Sequence, residues 1–232
     1  MNTQRGGVIL EAVGASWFAA YVPIQRGDLR LRQGRWEEAT LELEEAIALA
    51  ELTGDALALE YAHYLLGEAA VMDGRAVAAR DRLQPLINED GPYVVPLLAA
   101  LARAYVEVDD LDRAEETAGR ALTLAEERHQ RLYVPEVRRV QGMILARQER
   151  WEGAKSSFEE AISLARAMSY PYAEARALYE YGVLRSRQGE PSQARERLEE
   201  ALAIFRQLGA GKDVERTEEK LAALDAAAEP AP

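Results

Sequence analysis

The stretch Arg32-Gln33-Gly34-Arg35-Trp36-Glu37-Glu38-Ala39 (RQGRWEEA) returns 115 residues later as Arg147-Gln148-Glu149-Arg150-Trp151-Glu152-Gly153-Ala154 (RQERWEGA). Either a good helix start has been used twice, or a register runs through the whole chain. Sliding the sequence against itself favours the register. Five segments align on a small residue (Gly27, Gly67, Ala102, Gly142, Gly182), a turn position seven residues later (Gly34, Gly74, Asp109, Glu149, Gly189), and an alanine five beyond it (Ala39, Ala79, Ala114, Ala154, Ala194). Successive units are offset by 40, 35, 40 and 40 residues. Three independent landmarks held over five segments identify an internal repeat.

Each unit reads as two helices. In the first, Trp36, Ala39, Leu43, Ala46, Ile47 and Ala50 form the apolar stripe of an amphipathic helix, opposite Glu37, Glu38, Glu42 and Glu45. The phrase Leu43-Glu44-Glu45-Ala46-Ile47 recurs at Phe158 to Ile162 and Leu198 to Leu202. The small residues mark places where antiparallel helices approach closely. Breaks fall between the helices: Thr53-Gly54-Asp55 offers a left-handed C-cap and an N-cap, and Gly91-Pro92, Tyr170-Pro171 and Glu190-Pro191 act similarly. Pro23, Pro96 and Pro135 sit near the starts of first helices, where a missing backbone donor is tolerated. No segment alternates with the period of a strand, so the fold class is all-α.

Gly-Arg-Trp-Glu-Glu-Ala followed by Leu-Glu-Glu-Ala-Ile resembles the tetratricopeptide repeat, over roughly residues 15 to 210. The units depart from that family's usual period of ~34 residues. The longer helices, above all Tyr170 to Gly182 and Glu196 to Gly209, are similar to the C-terminal sensor regions of large bacterial signalling ATPases: maltose-regulator-like and LuxR-type transcriptional activators, and multidomain adenylate/guanylate cyclases. The resemblance implies a right-handed α-solenoid of five stacked antiparallel helix pairs, at about 15–54, 55–91, 92–130, 131–170 and 171–210. Residues 1–14 align with the end of a second helix and are expected to be the close of a preceding repeat, as in a fragment of a longer protein, or a capping helix. Residues 211–226 are expected to cap the last pair through Val214, Leu221 and Leu224, and 227–232 to be a disordered tail.

Composition narrows the function. The 232 residues are 48% hydrophobic, enough for a substantial core, and contain no cysteine for disulfide or thiolate chemistry. The net charge of −12 disfavours direct contact with a phosphate backbone. The longest apolar run, Val94 to Ala102, is about half the ~18 to 20 residues needed to span a bilayer, and Glu11 interrupts any secretory h-region. A soluble, cytoplasmic chain is expected.

Motifs for chemistry are eliminated one by one. His63 and His129 lie in different units, without the convergent ligands a metal site needs. Gly209-Ala210-Gly211-Lys212-Asp213 lacks the first glycine and the Ser/Thr of a phosphate loop. Asp109-Asp110-Leu111-Asp112 lacks the glycine and closing glutamate of a calcium loop, and reads as a turn plus acidic helix start. No catalytic residue, cofactor or metal is expected.

What remains is a concave surface lined by first helices. The shared register projects Tyr21, Ile24, Asp28, Leu31 and Arg32 inward, then Tyr61, Tyr64, Glu68, Val71 and Met72, then Arg103, Val106 and Glu107. Arg139, Met143 and Arg147 follow, with Arg176, Tyr179, Val183 and Arg187. The strongest groove candidates are Tyr61, Tyr64, Glu68, Met72, Arg103, Arg139, Met143, Arg147, Arg176, Tyr179 and Arg187. Tyrosines there can stack on a ligand while arginines hold its carboxylate or phosphate groups; the competing reading has the tyrosines filling space and the arginines pairing with glutamates. The lysine and asparagine clamp some tetratricopeptide domains use for peptide carboxylates is not matched. The expectation is a non-catalytic sensor or scaffold that binds a protein, peptide or small metabolite, with a self-association element or a stand-alone adaptor as the alternatives.

Overall fold

The computed structural model describes residues 18–228, and no strand occurs among them. The expectations for residues 1–14 and 229–232 lie outside this range. Eleven helices follow in order: α1 (Tyr21–Arg32), α2 (Trp36–Thr53), α3 (Ala56–Met72), α4 (Ala76–Leu83), α5 (Val94–Glu107), α6 (Leu111–Glu127), α7 (Val134–Arg147), α8 (Trp151–Ala167), α9 (Pro171–Arg187), α10 (Pro191–Leu208) and α11 (Gly211–Ala228). The last runs two residues into the segment expected to be a tail.

All five turn positions of the repeat adopt left-handed backbone: Gly34, Gly74 and Gly189 at φ near 75°, Asp109 at 61° and Glu149 at 58°. A second series of left-handed residues, Gly54, His129, Ser169 and Gly209, separates one pair from the next. His129 is thereby a turn residue. His63 lies beside Arg82, its Nδ1 3.5 Å from a guanidinium nitrogen, and burial followed by that neighbouring charge lowers its pKa. Asp55 and Asp110 accept from the backbone N–H groups of Ala58 and Arg113, capping α3 and α6.

The pairs close around missing side chains. A Cβ on Gly27, Gly67, Gly142 or Gly182 would lie 2.7, 2.6, 2.5 or 2.7 Å from Leu43, Leu83, Phe158 or Leu198, respectively. In each case the facing side chain is sixteen residues further on. The third unit has alanine in place of glycine at Ala102, and the residue sixteen on is the small Ala118; both are fully buried. The five landmark alanines are also fully buried. The 35-residue offset has a separate cause. Helix α4 is only 8 residues long and gives way to a 3-10 turn at Gln84–Leu86, around Pro85, which cannot continue the hydrogen-bond ladder. The following loop is pinned where Tyr93 N–H donates to Glu60 at 2.7 Å and Arg128 donates to the Gly91 carbonyl at 2.8 Å.

Besides pairing with its neighbour in sequence, each odd-numbered helix packs on the next odd-numbered one, from α1 through α11, and α11 returns to touch α1. The inner layer is therefore a closed ring of six helices with the even-numbered helices outside. At the junction Lys212 lies directly over Gly34, its Nζ 5.9 Å above the Trp36 ring. Val214, Leu221 and Leu224 pack on the main core.

The close approach makes a quantitative prediction. Gly142→Ala should cost about 1–3 kcal/mol because the Phe158 ring is in the way. Phe158→Ala should cost about 3–5 kcal/mol. The double variant recreates the Ala102 and Ala118 arrangement, so urea denaturation should show it less destabilised than the sum by roughly 1 kcal/mol; strict additivity would show that the glycine is not needed for the contact.

Candidate functional site

Closing the ring drives the inward side chains of α3, α5, α7 and α9 against one another. Glu68, Arg103 and Arg139 are 3%, 4% and 1% exposed, which is unusual for charged groups and demands pairing. Glu68 Oε2 lies 3.2 Å from Arg103 Nη1 and 2.8 Å from Arg176 Nη2. Arg176 also reaches Glu136 Oε1 at 3.4 Å. Arg139 engages both oxygens of Glu136, one of them at 3.1 Å, and its Nη1 lies 3.5 Å from Glu180. Three guanidinium groups thus face three carboxylates. Burial alone would raise Glu136, but Arg139 and Arg176 outweigh it and hold the carboxyl at about 2. Glu68 is also held below its usual range, because Arg176 and Arg103 overcome the same burial penalty. Within the Glu68 and Arg103 pair, Glu68 Oε1 and Arg103 Nε are buried without hydrogen-bond partners.

On one side of this network is a cavity of about 80 Å³ whose wall includes Tyr61, Tyr64, Tyr93, Tyr133, Tyr170 and Tyr172. Tyr61 and Tyr64 come from the middle of α3. Tyr93, Tyr133 and Tyr170 each occupy the residue immediately before an inner helix, α5, α7 and α9 respectively. Tyr61 and Tyr93 stack with ring centroids 4.8 Å apart, and Tyr133 meets Tyr93 edge-on at 5.7 Å. Arg32, paired with Asp28 at 3.0 Å, crosses from α1 to lie 4.3 Å over the Tyr172 ring. Tyr172 in turn donates to Asp213 of α11 at 3.1 Å. Burial, followed by the nearby Asp28 carboxylate, pushes Tyr61 up to about 12, so its phenol stays neutral at physiological pH.

Of the residues read as groove candidates, Tyr61, Tyr64, Glu68, Met72 and Arg176 line this cavity. Arg103, Arg139 and Tyr179 sit behind it, around a second space of about 10 Å³ that Met72 also borders. Met143 contacts Arg139, its sulfur 3.0 Å from Nη1. Two candidates lie elsewhere. Arg147 turns back to Glu107 at 3.5 Å and Asp109 at 3.7 Å, while exposed Arg187 stacks on Trp151 at 5.7 Å. The inward residues of both halves of the chain converge, since the ring brings Arg176 of α9 to Glu68 of α3 and Tyr172 of α9 to Arg32 of α1. Arg103, Arg139 and Arg176 are engaged by carboxylates of this chain. Sequence reading missed Tyr93, Tyr133, Tyr170, Tyr172 and Glu136, although a tyrosine just before the first helix in three successive units was a visible signal. Trp36 and Trp151 pack partly buried against their cores.

Among the described residues, no group of three or more His, Cys, Asp or Glu side chains could hold a metal ion, and no helix is long and apolar enough to cross a membrane.

Residues 133–207 match the tetratricopeptide repeat family. That segment covers α7 to α10. No curated protein matches the sequence. Solved structures show the fold beyond the matched segment. A signal transduction ATPase with numerous domains and a tetratricopeptide repeat sensor, from Pyrococcus horikoshii, aligns over 90% of this chain and 33% of its own, with 17% identity and a TM-score of 0.62. This chain thus spans about a third of that protein. A thermophilic tetratricopeptide repeat protein of Thermus thermophilus aligns over 84% of this chain and 98% of its own, at 19% identity and a TM-score of 0.57. Rap protein complexed with competence and sporulation factor aligns over 93% and 64%, at 11% identity and 0.51. The chain is a tetratricopeptide-like α-solenoid in architecture.

The network predicts an asymmetric mutational response. Glu68→Ala leaves Arg103 and Arg176 short of a buried counter-charge and should cost about 3–5 kcal/mol. Removing Arg103 as well, as Glu68→Leu with Arg103→Met, should be less damaging than Glu68→Ala alone in thermal or urea unfolding. A Glu68→Ala protein as stable as the parent would contradict the assignment.

Proposed function

We propose that this chain is a non-catalytic recognition module, a sensor or scaffold that takes a peptide segment or small metabolite at the tyrosine-lined cavity. The observation that carries the proposal is the convergence of six tyrosines from α3 and the starts of α5, α7 and α9 on one cavity. Tyrosine provides large, rigid contact area with a polar tip, as recognition surfaces require. The carboxylates beside the cavity are paired with arginines, and a group held near pKa 2, as Glu136 is, makes a poor general base at neutral pH. These features favour binding over catalysis.

The fold likeness to a tetratricopeptide repeat sensor and to a Rap protein in complex with its factor supports this reading. By that analogy the chain serves a larger bacterial signalling or transcriptional regulator in the cytoplasm, where occupancy biases a neighbouring ATPase. A second reading, assembly through the first helix pair, is favoured by Leu29, Leu41 and Leu52, which are 55%, 68% and 82% exposed.

Panning a random peptide library and screening metabolites by thermal shift on the intact chain separates the readings. Hits should lose roughly tenfold affinity or more, about 1.4 kcal/mol, in Tyr133→Ala, with its helical circular dichroism retained, and keep it in Leu41→Ala. Hits indifferent to Tyr133 but lost with Leu41 would move recognition to the outer face of the first pair.

A further inference from the structure

The wall of the tyrosine cavity also has a charge signature. It carries three carboxylates, Asp28, Glu68 and Glu136, against two guanidinium groups, Arg32 and Arg176. Arg103 and Arg139, which complete the balance of the buried network, border the second space and not this one. Both guanidinium groups on the wall are already engaged. Arg32 is held by Asp28 and the Tyr172 face, and Arg176 by Glu68 and Glu136. An anion entering here would meet three carboxylates, and the two guanidinium groups beside them are already ion-paired within the chain, Arg176 through an Nη2 that makes no hydrogen bond. A cation would meet electron-rich ring faces beside Glu68, a lining carboxylate whose Oε1 is buried without a hydrogen-bond partner.

One ring of the wall, Tyr172, already carries cations. Arg32 lies 4.3 Å and Arg176 5.8 Å from the centroid of Tyr172. No guanidinium lies over Tyr61, Tyr93 or Tyr133 among the cation and ring contacts of the described residues. The space of about 80 Å³ equals roughly five or more water sites, the scale of a small head group rather than a folded partner. The net charge of −12 adds a long-range field that concentrates cations.

We infer that the cavity is a site for a small organic ammonium ion, with Tyr61, Tyr93 and Tyr133 as its aromatic walls and Glu68 as its counter-charge. The inference rests on the recognition reading above and names the ligand chemistry. Choline serves as the probe, compared by calorimetry on the intact chain with its uncharged tert-butyl analogue, in which carbon replaces the quaternary nitrogen, and with propionate. Choline should bind, with the analogue weaker by roughly tenfold, the discrimination of a desolvated cation–π contact. Tyr133→Leu should weaken choline by a similar factor and Tyr133→Phe, which keeps the ring face, should restore it. Equal binding of the analogue, or preference for propionate, would overturn the ammonium assignment while leaving the cavity a binding site. Failure of all three probes would overturn the ammonium assignment, whereas peptide or metabolite hits lost in Tyr133→Ala would still sustain the recognition reading.

Discussion

The architecture depends on a side chain that is absent. Where the first helix of a pair crosses the second, four of five units have glycine, and a leucine or phenylalanine from the partner occupies the space a Cβ would need. The third unit meets the same steric constraint with Ala102 and Ala118, both fully buried. Tight pairs bring successive inner helices into contact, and here the inner layer closes on itself, with Lys212 packed over the Gly34 turn. Ring closure then decides the fate of the inward residues. In an open solenoid Arg103, Arg139 and Arg176 would face solvent and be available to a ligand; in a closed one they require internal partners.

Glu68, Glu136 and Glu180 meet that requirement. The desolvation penalty of an unpaired buried charge is several kcal/mol, so the network must be nearly complete for the ring to form. Once it is complete, the arginines have little capacity for an incoming anion. In the proposed reading, recognition falls to the tyrosines beside them, whose faces are not all occupied by cations.

Much of the architecture was legible in the sequence because it is local and periodic. Positions Asp109 and Glu149, which carry no glycine, were recognisable as turns only through the repeat. Tyr61, Tyr64 and Glu68 were recognisable as inward-facing for the same reason. Closure was not legible, since it accumulates from small rotations between units that no single contact encodes. For that reason the partners of Arg176, drawn from helices 40 and 108 residues earlier in the chain at Glu136 and Glu68, could not be read from helical spacing. The tyrosines preceding α5, α7 and α9 stood outside the helical stripes and so escaped a projection built on helix faces.

Ring closure is the claim on which the buried network and the cavity both stand. Small-angle X-ray scattering of the dilute monomer measures it directly. A closed ring should give a radius of gyration of about 17 Å, the value for a compact chain of this length, with a single-peaked distance distribution. A value several ångströms larger with an extended tail would mean that α1 and α11 are apart in solution, and that the inner face is an open groove.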